Sequence, residues 1–209
     1  FKFVESQRKV GNQVVMNVTI GPVRDFFLAA SRDFQVASQT VGEVTVNSYA
    51  SRDLQAGSKS ALDTAVRAIE TFSKAYAPYP YTELDVIATP TLALGVEYPG
   101  AIAIAERVYS DTAYGEQTPV MRESTVAHEV GHQWFYNLVG NDQLDDPWLD
   151  EALTQFITWE YYRTNYGAGA AAGFEEFLRG RWSRVEFAPI PIGQPVAAYA
   201  DDQYSSIVY

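Results

Sequence analysis

The chain contains two histidines, and they stand four residues apart in the stretch TVAHEVGHQWFYN, as His128 and His132, with Glu129 directly after the first. No other feature narrows the possible folds as much. On an α-helix a spacing of four puts both imidazoles on one face, one turn apart, where both can bind a single cation. Glu129 is rotated by about 100° around the same helix, out of the ligand direction but within reach of a water on that cation. This is the HExxH arrangement of two zinc ligands and a general base. The fold must therefore supply a helix here and a second element that carries a further ligand to its histidine face.

A catalytic zinc takes three protein ligands and keeps one position open. With no cysteine and no third histidine in the chain, the remaining ligand has to be a carboxylate. Glu151 follows His132 by 19 residues (151 − 132), near the start of a second helix. The loop GNDQLDDP between them would turn the chain back so that the two helices pack. Asp150 is the competitor, one residue away and pointing elsewhere on the helix; Glu151 is preferred. Asp145 and Asp146 read as loop and cap residues.

Around this centre the chain changes character once. Residues 1 to about 52 read as β: FKFVESQ and NQVVMNVTI flank Gly11-Asn12, a pair suited to a hairpin turn. RDFFLAAS, DFQVASQTV and EVTVNSYA follow as further strand candidates, rich in β-branched and aromatic residues. The polar segment SRDLQAGSKS (51–60) is where a domain boundary is expected, giving units of 1–52 and 53–209. Beyond it Leu62, Ala65, Val66, Ile69 and Phe72 recur at the spacing of one helix face, and Pro78 and Pro80 end that pattern. ELDVIATP and GAIAIAERV read as strands separated by TLALGVEYPG. Thr118 as cap and Pro119 in the first turn open a helix expected to reach about Leu138. A second helix is expected from Asp146-Pro147 to about Asn165. The stretch GAGAAAG (167–173) follows a helix and lacks the Lys-Ser/Thr ending of a phosphate loop, so it reads as a flexible connection between helices. The expected class is α+β, an antiparallel β part followed by a mixed α/β unit that becomes helical.

Composition removes several functions. A net charge of −11 opposes nucleic-acid phosphates. The basic clusters SQRK (6–9) and RGRWSR (179–184) read as solvated faces. Without cysteine there is no disulfide, thiolate metal site or cysteine nucleophile. No apolar run has the length of a membrane span. Phe1 opens directly on a strand pattern and SSIVY closes without a terminator, so a piece of a longer protein is expected. Localisation is not legible.

The residues around the histidines carry a resemblance. HEVGHQWFYN, then PWLDEA with Glu151, resembles the zinc signature of the M1 family of gluzincin aminopeptidases, usually HExxHQWFGN…WLNEG. Gln133, Trp134, Phe135, Asn137, Trp148 and Leu149 match. Tyr136 stands in place of a glycine, Asp150 of an asparagine and Ala152 of a glycine. VRDFFLAASRDFQVASQ is similar to the end of the family's saddle-shaped β domain, and residues 57 onward to the first part of its thermolysin-like catalytic domain.

The resemblance implies one zinc ion held by His128, His132 and Glu151, with Glu129 as general base. It implies that Glu97, in LGVEYPG, occupies the glutamate position of the family's Gly-x-Met-Glu-Asn motif and binds the substrate's free α-amino group. Leu94, Val96 and Tyr98 depart from that motif. It also implies an oxyanion-stabilising tyrosine, Tyr209, with Tyr204 as the alternative. The implied reaction is removal of N-terminal residues from peptides with a free N-terminus. The rivals are a thermolysin-like endopeptidase, a zinc-binding homologue without catalysis and an epoxide hydrolase. The family's catalytic domain continues beyond the equivalent of Tyr209, so residues 1–209 alone are expected to show weak or no activity without the remaining domains.

Overall fold

The computed structural model describes residues 2–185 and 190–209. It opens with the expected hairpin, β1 (Lys2–Val10) and β2 (Gln13–Ile20), paired antiparallel across Gly11, whose φ of 60° the turn requires. A second hairpin, β3 (Gln35–Val41) and β4 (Val44–Ala50), leads into α1 (Gln55–Ala75), then β5 (Glu83–Thr89), β6 (Gly95–Tyr98), β7 (Ala101–Ala105) and the one-turn α2 (Glu106–Tyr109). The rest is helical: α3 (Thr118–Gly131), α4 (Trp148–Tyr166), α5 (Ala168–Trp182) and α6 (Asp201–Ile207). The class is α+β, as expected.

Among the described residues β3 to β7 form one mixed sheet in the order β3-β4-β5-β7-β6. β4, β5 and β7 run parallel, and β3 and β6 are antiparallel edges. The interior strands are near-continuous apolar runs, as strands covered on both faces require: ELDVIAT is buried from Leu84 to Ala88 and AIAIA from Ile102 to Ala105. α1 lays Ala61, Ala65, Ile69 and Phe72 on this sheet, and Val126, Val130, Ile157 and Tyr161 of α3 and α4 close the same core. Each large apolar side chain buried this way contributes about 1.5–3 kcal/mol.

Five expectations change. The division at 52/53 does not separate two sheets, because β4 before it pairs with β5 after it, from Thr45–Glu83 to Tyr49–Ile87. The polar segment 51–60, where the boundary was expected, is built into the fold: α1 begins at Gln55, and Ser58 is buried with its hydroxyl 2.8 Å from that of Ser48 on β4. Residues 24–31 form no strand; Phe27 instead stacks on Tyr98 with ring centroids 4.4 Å apart, so this segment packs by side chains and not through a backbone ladder. TLALGVEYPG contains the edge strand β6. GAGAAAG is not a flexible connection: only Gly167, at φ 86°, makes the turn, and α5 starts at Ala168. α5 lies against α4 through Phe174, which stacks on Tyr162 at 5.2 Å, and through buried Ala171. No described helix is long and apolar enough to cross a membrane.

Candidate metal centre

α3 begins where Thr118 and Pro119 were expected to open it, although the threonine does not cap it. Its hydroxyl accepts from the Tyr114 backbone N–H at 2.9 Å and donates to the Gly115 carbonyl at 2.8 Å, pinning the preceding turn. The helix stops at Gly131, short of the expected Leu138. Gln133 and Trp134 close three-residue bonds to Val130 and Gly131, and the chain then reverses at Tyr136, whose φ of 112° no helix can accept. His132 keeps helical dihedrals at the C-cap and its backbone N–H still reaches the His128 carbonyl at 3.2 Å, so the imidazole pair survives the early ending.

The returning chain is drawn close by Gly131. A Cβ there would meet Ile157 Cδ1 at 2.7 Å and Thr154 Cγ2 at 2.9 Å, so only glycine allows α4 this near. The approach delivers Glu151. His128 Nε2 lies 3.0 Å from Glu151 Oε2, His132 Nε2 3.4 Å from the same oxygen, and the two Nε2 atoms are 3.1 Å apart. Tetrahedral zinc, with bonds of about 2.0–2.2 Å to such ligands, sets neighbouring donor atoms about 3.3 Å apart. The three residues fit one zinc. His132 Nδ1 faces the Phe135 carbonyl at 3.0 Å, which holds the proton on Nδ1 and leaves Nε2 to the metal.

Asp150, the competing carboxylate, is buried on the other side. Its Oδ2 is 3.8 Å from His132 Nδ1, and it accepts hydrogen bonds from Asn141 Nδ2 at 2.7 Å and Gln143 Nε2 at 2.8 Å. Asp142 organises the loop by accepting from the Leu144 and Asp145 backbones; Asp145 and Asp146 are exposed loop residues, and Asp146 does not cap α4, whose N-cap is Pro147 without a side-chain bond.

Glu129 is buried, and its Oε2 has no hydrogen-bond partner among the described residues. Its carboxylate lies against β6, where a Cβ on Gly95 would meet Glu129 Oε1 at 2.3 Å. Two residues along that strand, Glu97 brings a carboxylate oxygen within 4.8 Å of ligand atoms of both Glu129 and His132. Buried Gln133 ties the strand in place, donating to the Tyr98 carbonyl at 3.0 Å and accepting from the Gly100 N–H at 2.9 Å. Tyr209 packs its ring 5.7 Å from that of His128, and Tyr204 packs behind it at 5.9 Å. Arg181, from the cluster expected to be solvated, instead lies over the Tyr209 ring at 5.0 Å.

The charges are strongly coupled. Burial disfavours ionisation of Glu151, but its bonds to His128 and His132 outweigh that and hold its carboxyl well below the usual range. Burial also opposes a proton on His132, yet Glu151, with Glu97 and Glu129 behind it, pushes the imidazole up. His128 goes down, burial dominating. Burial drives Glu129 well above the carboxylate range, and drives the Tyr209 phenol up as well, helped by the Glu151 charge.

Reading the sequence alone missed Gly95, Gln143, the Tyr136 reversal and Arg181. Of these only Tyr136 carried a signal, as a departure from a glycine. Its hydroxyl donates to Asp25 Oδ2 at 2.9 Å and Arg24 sits over its ring at 5.5 Å, joining the 24–31 segment to the loop after the metal helix.

The family described as "Peptidase family M1 domain" matches residues 60–203. The chain is 33% identical over 135 residues to "Aminopeptidase M1-A" of Oryza sativa subsp. japonica, covering 61% of this chain and 15% of that protein. It is 30% identical over 160 residues to "Aminopeptidase M1" of Arabidopsis thaliana, covering 73% and 18%. It is also 30% identical over 130 residues to "Endoplasmic reticulum aminopeptidase 2" of Bos taurus, covering 60% and 14%. The chain thus spans less than a fifth of the length of each of these relatives.

Proposed function

The chain belongs to peptidase family M1, and from that premise we propose that it forms the metal-binding part of a zinc-dependent aminopeptidase, which releases N-terminal residues from peptides with a free N-terminus. The observation that carries this reading is the meeting of His128 Nε2, His132 Nε2 and Glu151 Oε2 beside the buried Oε2 of Glu129, which has no hydrogen-bond partner among the described residues. The names of the relatives support the same activity. We assign 53–209, together with β3 and β4, to a thermolysin-like catalytic unit, and the N-terminal hairpin to the end of a saddle-like β domain.

His128, His132 and Glu151 would hold the ion. Zinc, when bound, supplies acidity to a water and polarises the scissile carbonyl. Glu129 takes the proton of the attacking water and passes it to the leaving amine. Glu97 accepts hydrogen bonds from the substrate's N-terminal ammonium, so that the first peptide bond meets the base. The Tyr209 phenol, kept protonated by burial, donates to the oxyanion.

The test compares a dipeptide amide bearing a free N-terminus with its N-acetylated form, using the zinc-loaded full-length protein. Release of the first residue from the free form alone, lost in Glu129→Gln, is expected. Equal cleavage of the acetylated peptide would make the protein an endopeptidase and end this reading.

A further inference from the structure

The loop between α3 and α4 carries a side chain with no role so far. Gln143 uses its single amide nitrogen to join two carboxylates: Nε2 donates to Glu97 Oε1 on β6 and, at 2.8 Å, to Asp150 Oδ2 on α4. A primary amide has two N–H groups, so one nitrogen can serve both acceptors at once. Asp150 is itself fixed: it is buried in the first turn of α4, accepts from Asn141 at 2.7 Å, and immediately precedes Glu151.

The chemistry of the linker matters. Glu97 and Asp150 bring two negative charges to one neutral donor. A lysine or arginine at 143 would neutralise Glu97 and occupy the place of an incoming cation, whereas an amide orients the carboxylate and leaves its charge free for one. The bridge also sets a distance. Through Asp150 it ties Glu97 to the helix turn that carries Glu151, so the group that receives a substrate ammonium is held in register with the metal.

We propose that Gln143 is a positioning residue for recognition of the substrate's N-terminus: it holds Glu97 against Asp150 so that the ammonium-binding carboxylate stays at a set distance from the metal ligands. This rests on the reading of Glu97 as the ammonium-binding group.

The experiment uses the zinc-loaded full-length protein with Gln143→Leu, Gln143→Glu, Glu97→Ala and the double variant Glu97→Ala/Gln143→Leu, on a free-N-terminus dipeptide amide. Each protein is first analysed for zinc. Gln143→Leu is expected to keep one zinc per chain and raise KM about tenfold, with a smaller change in kcat, the size of losing one hydrogen bond to a charged group. Gln143→Glu is isosteric but donates only when protonated, so its KM should recover as pH falls. Because Gln143 acts through Glu97, the double variant should be no worse than Glu97→Ala within about twofold. Unchanged KM in Gln143→Leu, multiplying effects in the double variant, or loss of zinc in both Gln143 variants would overturn the proposal. If Glu97→Ala itself leaves KM unchanged, the reading of Glu97 fails and the proposal falls with it, an outcome distinct from a silent Gln143 beside an essential Glu97.

Discussion

Gly95 and Glu129 touch so closely that a Cβ on Gly95 would stand 2.3 Å from Glu129 Oε1 and 2.4 Å from its Cγ and Cδ. The absent side chain on the edge strand is the space in which the buried carboxylate lies. Gly95→Ala should therefore push Glu129 aside while leaving the ligands in place. We expect zinc content to be unchanged, kcat to fall about 100-fold, the range of a general-base contribution, and thermal stability to move little. Activity beside a melting curve checks this; full activity in the Gly95→Ala variant would show that the carboxylate does not act from this position.

The two adjacent acids of α4 should separate cleanly. Glu151 faces Nε2 of both histidines, whereas Asp150 faces Nδ1 of His132 at 3.8 Å. Glu151→Ala should lose the metal. Asp150→Asn should retain it with an affinity weakened by about 10-fold, as for a group behind a ligand. Elemental analysis after equilibration with zinc distinguishes them, and the reverse ranking would make Asp150 the ligand.

Metal affinity should depend on pH with a definite sign. In the metal-free chain burial works against a proton on His132, but Glu151 and the acids behind it outweigh burial and raise its pKa. A zinc ion must displace that proton. Below the raised pKa, affinity should thus climb about tenfold per pH unit through the neutral range, one proton being released per ion. Chelator competition at pH 6, 7 and 8 measures the slope, and a flat profile would mean that His132 is already neutral there.

Tyr136 holds φ at 112°, in the region that favours glycine. Its ring is anchored by Asp25 and Arg24. Tyr136→Ala removes the anchor and keeps the backbone cost; Tyr136→Gly removes both. The glycine variant should be the more stable of the two by about 1 kcal/mol, a typical size for such strain. Denaturant unfolding of the pair decides it, and equal stabilities would mean that the loop relaxes once the ring is gone.

What the sequence by itself determined is local. Two histidines four apart share a helix face whatever surrounds them, since the pitch of the helix sets that relation. The need for a carboxylate as third ligand followed from composition, and Glu151 is the one that meets both Nε2 atoms. The apolar spacing of α1 and the Pro119 start of α3 were legible for the same reason. The ends were not: α3 stops at Gly131, ahead of the chain reversal at Tyr136, and residues 168–173 belong to α5, which packs on α4 where Phe174 stacks on Tyr162. Only the tertiary structure decided that Gly95 makes room for Glu129, that Gln143 bridges Glu97 and Asp150, and that Arg181 covers Tyr209. Those pairs come from different elements, and their meeting depends on strand order, on the closeness of α3 and α4 and on the path of one loop, none of which leaves a periodic trace along the chain.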